Sequence, residues 1–134
     1  MKKLAIILSL AGILTAPAGL AGKLFIDGDL AEAKQLAKES GKLVMVDFKA
    51  EWCGPCKMLD RTTWSDGNVI ESVKEKAVAI KIDVDENGDL ASKYRIRSLP
   101  TIMFLDEEGK EIHRFIGYRD ASGFLKELGR VGKS

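Results

Sequence analysis

The chain has 134 residues, 46% hydrophobic and 31% charged, and its 21 Lys and Arg against 20 Asp and Glu give a formal charge of +1. That is the composition of one globular domain with a single core. It excludes a fibrous, repetitive or low-complexity chain and offers no basic surface for nucleic acid or an acidic membrane. The two cysteines, Cys53 and Cys56, are too few for a disulfide-stapled scaffold or a four-cysteine metal centre.

Lys2 and Lys3 precede the apolar run Leu4 to Ala16, after which Ala16-Pro17-Ala18 and Gly19-Leu20-Ala21 both fit a small-residue cleavage site. This order predicts a signal peptide over residues 1–21, cut after Ala18 or Ala21, and a domain over 22–134 that is exported. Leu4 to Ala21 is only 18 residues and contains Pro17, which is short for an uncleaved span of about 30 Å. Cleavage after Ala21 removes two of the 21 basic residues and no acid, leaving a net charge of −1.

In the domain, Asp29 with Glu32 three residues on predicts a helix start, and Gly41 its end, with Leu30, Ala33, Leu36 and Ala37 as the apolar face. Leu43 to Phe48 reads as a strand apolar on both faces except at Asp47, hence central in a covered sheet. Cys53-Gly54-Pro55-Cys56 opens a helix to about Thr62, with Pro55 tolerated in its first turn. Ser65-Asp66-Gly67 breaks the chain before a helix over Asn68 to Lys76. Ala77 to Val84 is a second strand and Asp89 to Tyr94 a short helix. Thr101 to Leu105 and Glu111 to Ile116 form a hairpin across Asp106 to Gly109, and Asp120 caps a last helix to about Leu128. Strands alternating with helices, then a hairpin and a closing helix, predict a mixed α/β sheet covered on both faces.

Trp52-Cys53-Gly54-Pro55-Cys56-Lys57 carries the chemistry. Two thiols separated by two residues at a helix start can close into a disulfide and reopen with little backbone movement. The first lies at the positive end of the helix dipole, which favours its thiolate. A cysteine of pKa about 8.5 is ~3% ionised at pH 7, and one near 7 is half ionised. Lower basicity offsets most of that gain, so attack quickens only about threefold, and leaving-group ability and redox poise benefit more. Cys53 is the expected attacking thiol and Cys56 the resolving one, buried one turn further on. A structural disulfide is the plain alternative, but so short a loop contributes only about 2 kcal/mol against about 3 for fifteen residues. Zinc needs two further ligands where the sequence supplies only His113 as a soft candidate, and covalent haem needs His where Lys57 stands. No metal and no cofactor beyond the Cys53–Cys56 pair is expected.

Several separated segments together resemble the thioredoxin family across residues 23–130. They are Val46-Asp47-Phe48, Ala50 to Lys57 around the cysteines, Lys81 to Asp85, Tyr94 to Thr101 with Leu99-Pro100, Gly109 and Gly117. The resemblance implies a thioredoxin fold and thiol:disulfide exchange. It makes Cys53 and Cys56 the redox pair, Pro100 a cis-proline facing the disulfide, Asp47 the buried acid beneath the second cysteine and Lys81 its basic neighbour. An acid in an apolar strand is costly unless paired or raised in pKa, and such an acid could take the Cys56 proton. The plain alternative is a satisfied core acid with no catalytic role. Trp52 is read as the apolar rim of a substrate face that also includes Gly54, Pro55, Leu99, Pro100 and Gly117.

Lys49 stands where cytoplasmic thioredoxins place an aromatic, and the helix after the motif lacks their kinking proline and stops at Thr63 to Val69. That broken pattern is similar to the exported C-terminal domain of the transmembrane thiol:disulfide interchange reductases. Tyr118 either helps choose partners or covers apolar surface. Asp83 to Gly88 imitates half of a calcium loop, but Tyr94 occupies the position of the bidentate acid, so the run is read as a strand end and helix cap. His113 is read as a half-exposed strand residue and Trp64 as packing at a helix end.

The expectation is an exported reductase of protein disulfides, periplasmic where the source has two membranes. Its partners are protein disulfides and a membrane electron donor, since an oxidising compartment would otherwise hold it as a disulfide. It binds no nucleic acid and is a monomer. The alternatives are a disulfide-donating oxidase of the same fold and a non-catalytic binding module.

Overall fold

The computed structural model describes residues 23–132, so the leader expected over 1–21 lies outside the described residues. Helix α1 (Leu30–Ser40) starts where Asp29 Oδ1 accepts the Glu32 N–H at 2.9 Å and ends at Gly41 in the left-handed conformation, φ 67°. Strand β1 (Leu43–Lys49) leads to α2 (Gly54–Arg61), a 3-10 turn (Thr63–Ser65) and α3 (Gly67–Lys76). Then come β2 (Ala77–Asp83), α4 (Gly88–Lys93), β3 (Thr101–Leu105), β4 (Glu111–Ile116) and α5 (Ala121–Arg130). These elements lie within two residues of the expected ones, because their boundaries are set by local caps. Asp66 accepts from Val69 N at 3.0 Å and Asp120 from Gly123 N at 2.7 Å, each three residues on.

The four strands are ordered β2-β1-β3-β4, with β1 parallel to β2 and antiparallel to β3, and β4 antiparallel to β3. Central β1 is buried along five consecutive residues, as a strand covered on both faces must be. Val44, Val46 and Phe48 pack with Leu30, Ala33 and Ala37 of α1 and with Tyr94 after α4. Met45 faces the opposite layer, with Leu59 of α2, Val69 and Val73 of α3 and Phe124 and Leu128 of α5. Alternation along the strand puts Asp47 on the same side as Met45. Each fully buried Phe or Leu in these layers contributes about 1.5–3 kcal/mol.

Leu36, expected on the buried face of α1, is 43% exposed. The helix rests on the sheet through Leu30, Ala33 and Ala37, and Leu36 projects beyond the β2 edge. There it lines a cleft of about 560 Å³ with Phe25, Ile26 and Val78, beside the point where Phe25 pairs with Ala79.

The break after α2 decides how the site is built. Thr62 closes the helix by returning its N–H and its hydroxyl to the Met58 carbonyl, at 3.1 and 2.8 Å. The 3-10 turn then carries Trp64 into the core, edge-on to Phe25 at 5.6 Å and to Phe124 at 4.9 Å. Thr63 fixes the turn by donating to the Arg119 carbonyl at 2.6 Å.

Candidate active site

Cys53 is the N-cap residue of α2, in extended conformation (φ −84°, ψ 107°), and its Sγ accepts the backbone N–H of Cys56 at 3.2 Å. Pro55 lies in the first turn, where its missing N–H costs no helical bond. The two cysteines are joined in a disulfide with their Cα atoms 5.3 Å apart. On reduction, the helix dipole and the Cys56 N–H both favour a thiolate on Cys53. Cys56 is buried as expected, at 3% exposed, but Cys53 is covered as well, at 4%. Position on the helix separates their roles instead, since only Cys53 Sγ caps its N-terminus.

Ala50, Val84 and Leu99 pack around both cysteines. The Leu99–Pro100 peptide is cis, and β1–β3 pairing of Phe48 with Thr101 brings it to the end of β1 where the motif begins. Pro100 is buried, and its carbonyl accepts the N–H of Gly117 at 2.9 Å, with Gly117 at φ +92°. Nothing stands within 4 Å of where a Cβ on Gly54 would lie, so packing does not require glycine there. Trp52 is 71% exposed, and its indole N–H donates to Asp85 Oδ2 at 2.9 Å. Lys49 replaces the expected aromatic and bridges Glu51 to Asp83, the latter at 3.8 Å. Tyr118 is partly exposed, and its hydroxyl bonds Thr62 Oγ1 at 2.9 Å, joining the loop after Gly117 to the end of α2.

Asp47 is 1% exposed, and its pKa is raised from the ordinary 3.8 to about 6. Burial is the largest cause; the Trp64 hydrogen bond and the Lys81 charge oppose it, Asp60 adds to it and Lys49 opposes it weakly. Oδ2 accepts the Trp64 indole N–H at 2.9 Å, and Oδ1 has no hydrogen-bond partner among the described residues. Lys81 on β2 is paired in register with Asp47 on β1. Its long stem carries the ammonium past the carboxylate to Asp60 on α2, 5.0 Å from the Phe25 ring centre. The direct partner of Asp47 is therefore Trp64, which the sequence suggested only as packing. Two facts in the sequence point to it: a buried indole N–H needs an acceptor, and Asp47 is the lone acid in an apolar strand.

The remaining polar motifs lie elsewhere. His113 Nε2 meets Glu127 Oε2 at 3.0 Å, joining β4 to α5. Asp83 Oδ1 accepts from Asp85 N at 2.9 Å, and the Asp83 carbonyl accepts from the Asn87 side chain at 3.0 Å, a strand end turning into α4. Among the described residues, no group of three or more His, Cys, Asp or Glu side chains is placed to hold a metal ion.

A family model described as a thioredoxin-like domain matches residues 30–132. The chain is 38% identical to the thioredoxin of Echinococcus granulosus over 103 residues, covering 77% of this chain and 87% of that protein. It is 41% identical to the thioredoxin of Mycoplasmoides gallisepticum over 101 residues, covering 73% and 91%. The solution structure of a thioredoxin from Thermus thermophilus superposes with a TM-score of 0.71 at 32% identity, covering 81% of this chain and 87% of that one.

Proposed function

The chain belongs to the thioredoxin-like family and is a thiol:disulfide oxidoreductase, and from that premise we propose that it is exported and reduces protein disulfides. The observation that carries the chemistry is the disulfide at the N-cap of α2, enclosed by Ala50, Val84 and Leu99 beside cis-Pro100.

The Cys53 thiolate attacks one sulfur of a substrate disulfide, and the other sulfur leaves and takes a proton from solvent. Cys56 then gives its proton to Asp47 and attacks Cys53 Sγ. A Cys53–Cys56 bond forms, the mixed disulfide breaks, and the second substrate sulfur is protonated. The substrate gains two electrons from the cysteine pair, one proton from solvent and one from Asp47, which passes on the Cys56 proton, so the exchange itself calls for no cofactor. Cys56 and Asp60 lie one turn apart on one face of α2, and the Asp60 charge is felt at Asp47; this supports a path from Cys56 to that carboxyl. Lys81 favours the ionised carboxyl by its charge.

Trp52, Gly54, Pro55, Leu99, Pro100 and Gly117 form the substrate face in this reading. The open space over Gly54 and the exposed Trp52 ring support it. The likeness of the Cys-Gly-Pro-Cys segment to reducing members of the family favours reduction over disulfide donation. The leader pattern of residues 1–21 supports export, to the periplasm where there are two membranes, and an exported reductase needs a membrane electron donor. The protein acts as a monomer.

A redox titration against a thiol/disulfide buffer, followed by Trp52 fluorescence, tests the direction. A reversible two-electron transition near −270 mV, about where thioredoxin lies, supports the reductase. A transition near about −120 mV makes the protein a disulfide donor. No reversible transition removes redox exchange from its function.

A further inference from the structure

Among the described residues Trp64 is the one side chain that hydrogen-bonds Asp47, and the fold holds it firmly in place. Its ring is clamped edge-on between Phe25 and Phe124, at interplanar angles of 78° and 86°, on a turn that Thr63 ties to the Arg119 carbonyl. An indole N–H can only donate, so it fixes which oxygen of the carboxyl is engaged. Oδ2 is engaged, and Oδ1 is left as a buried acceptor without a partner among the described residues.

We propose that Trp64 is a positioning residue for resolution of the mixed disulfide, orienting the Asp47 carboxyl so that Oδ1 receives the Cys56 proton. The inference rests on Asp47 being the proton acceptor. The transfer moves one proton from Cys56 Sγ to Oδ1, while the Cys56 electron pair forms the new bond to Cys53 and the substrate thiolate leaves. The donated hydrogen bond also favours the ionised carboxylate, the only form able to accept that proton. The other charged and titratable groups around Asp47 are Lys81 on β2, Asp60 on α2 and Lys49 on β1, with the thiols of α2 in the reduced state. Lys81 and Lys49 favour ionisation and Asp60 disfavours it, so removing the Trp64 bond leaves burial less opposed.

The test follows the reduced protein mixed with an aromatic disulfide in stopped flow. One equivalent of aromatic thiol appears as the mixed disulfide forms, and a second as Cys56 resolves it. The second phase is recorded from about pH 5 to about pH 9 for the wild type, Trp64→Phe and Asp47→Asn. Phenylalanine keeps an aromatic ring between Phe25 and Phe124 and removes the donor; its smaller ring also loses some packing, which lowers the rate without moving the pH limb. The expected result is a Trp64→Phe acid limb displaced upward by about one pH unit, roughly tenfold slower on the limb and approaching wild type at high pH. Asp47→Asn should abolish that limb.

If Asp47→Asn abolishes the limb while Trp64→Phe overlays the wild type, the positioning role is wrong and the acceptor role of Asp47 stands. A Trp64→Phe rate lowered equally at every pH means lost packing only and overturns the proposal. An unchanged limb in Asp47→Asn overturns both. Should Trp64→Phe fail to fold, the indole N–H resonance of the wild type decides. It should titrate with the resolution limb and stop doing so in Asp47→Asn, whereas a pH-independent resonance overturns the proposal.

Discussion

The indole N–H of Trp52 donates to Asp85 Oδ2 at 2.9 Å across 33 residues of chain, while 71% of the residue stays exposed. An exposed indole ordinarily samples several rotamers; here the turn after β2 fixes one edge and leaves the apolar surface of the ring open to solvent, one residue before Cys53. A rigid aromatic anchor contributes more to binding than a mobile one, because less entropy is lost on contact. Trp52→Ala should lower kcat/KM for a protein disulfide about 5- to 30-fold, with Asp85→Ala giving a smaller loss of about two- to fivefold. Steady-state kinetics check this, and unchanged values for Trp52→Ala would remove the ring from the substrate face.

Cys53 and Cys56 are equally covered, so their roles must be separated chemically. Cys56→Ser should retain attack but not resolution, and accumulate a mixed disulfide between Cys53 and substrate. Cys53→Ser should trap none, because the helix N-cap favours a thiolate at the first position. Non-reducing electrophoresis and mass spectrometry distinguish the two variants.

Asp47 makes stability pH-dependent in a direction opposite to that of a salt-bridged carboxylate. Its folded pKa of about 6 lies above the ordinary 3.8, so the folded state holds the proton more tightly than the unfolded chain does. Its contribution is fully present below about pH 4 and is lost as the pH rises through about 6. The whole effect is about 3 kcal/mol. Relative to the wild type, Asp47→Asn should therefore gain up to about that much between pH 4 and pH 7. Urea unfolding of the oxidised proteins across this range measures the difference. A difference that does not change with pH would mean that Asp47 titrates as an ordinary carboxyl.

Gly117 sits at φ +92° and donates to the Pro100 carbonyl at 2.9 Å. A Cβ added there would meet its nearest atom, Arg119 Nη1, at 3.7 Å, an ordinary contact. The cost of Gly117→Ala is then backbone conformation alone, about 1–2 kcal/mol. Denaturant midpoints should fall accordingly, and activity should fall as well, because the loop faces Pro100. Full stability in the variant would show that the loop relaxes freely.

Local chemistry was legible in the sequence because its causes are local. Asp29, Asp66 and Asp120 cap helices through donors three residues away, and Gly41 ends a helix by its own φ. The apolar run of β1 with Asp47 inside it, and the cysteines at a helix start, need only neighbouring residues to be recognised. The tertiary structure decided the partners. It brought Trp64 to Asp47 across 17 residues, sent Lys81 to Asp60, pinned Trp52 to Asp85 and left Leu36 beyond the β2 edge. Those outcomes depend on where a side chain's end arrives once the layers are packed. Sequence spacing determines the face a residue occupies, whereas side-chain length, helix breaks and sheet edges determine what it meets there.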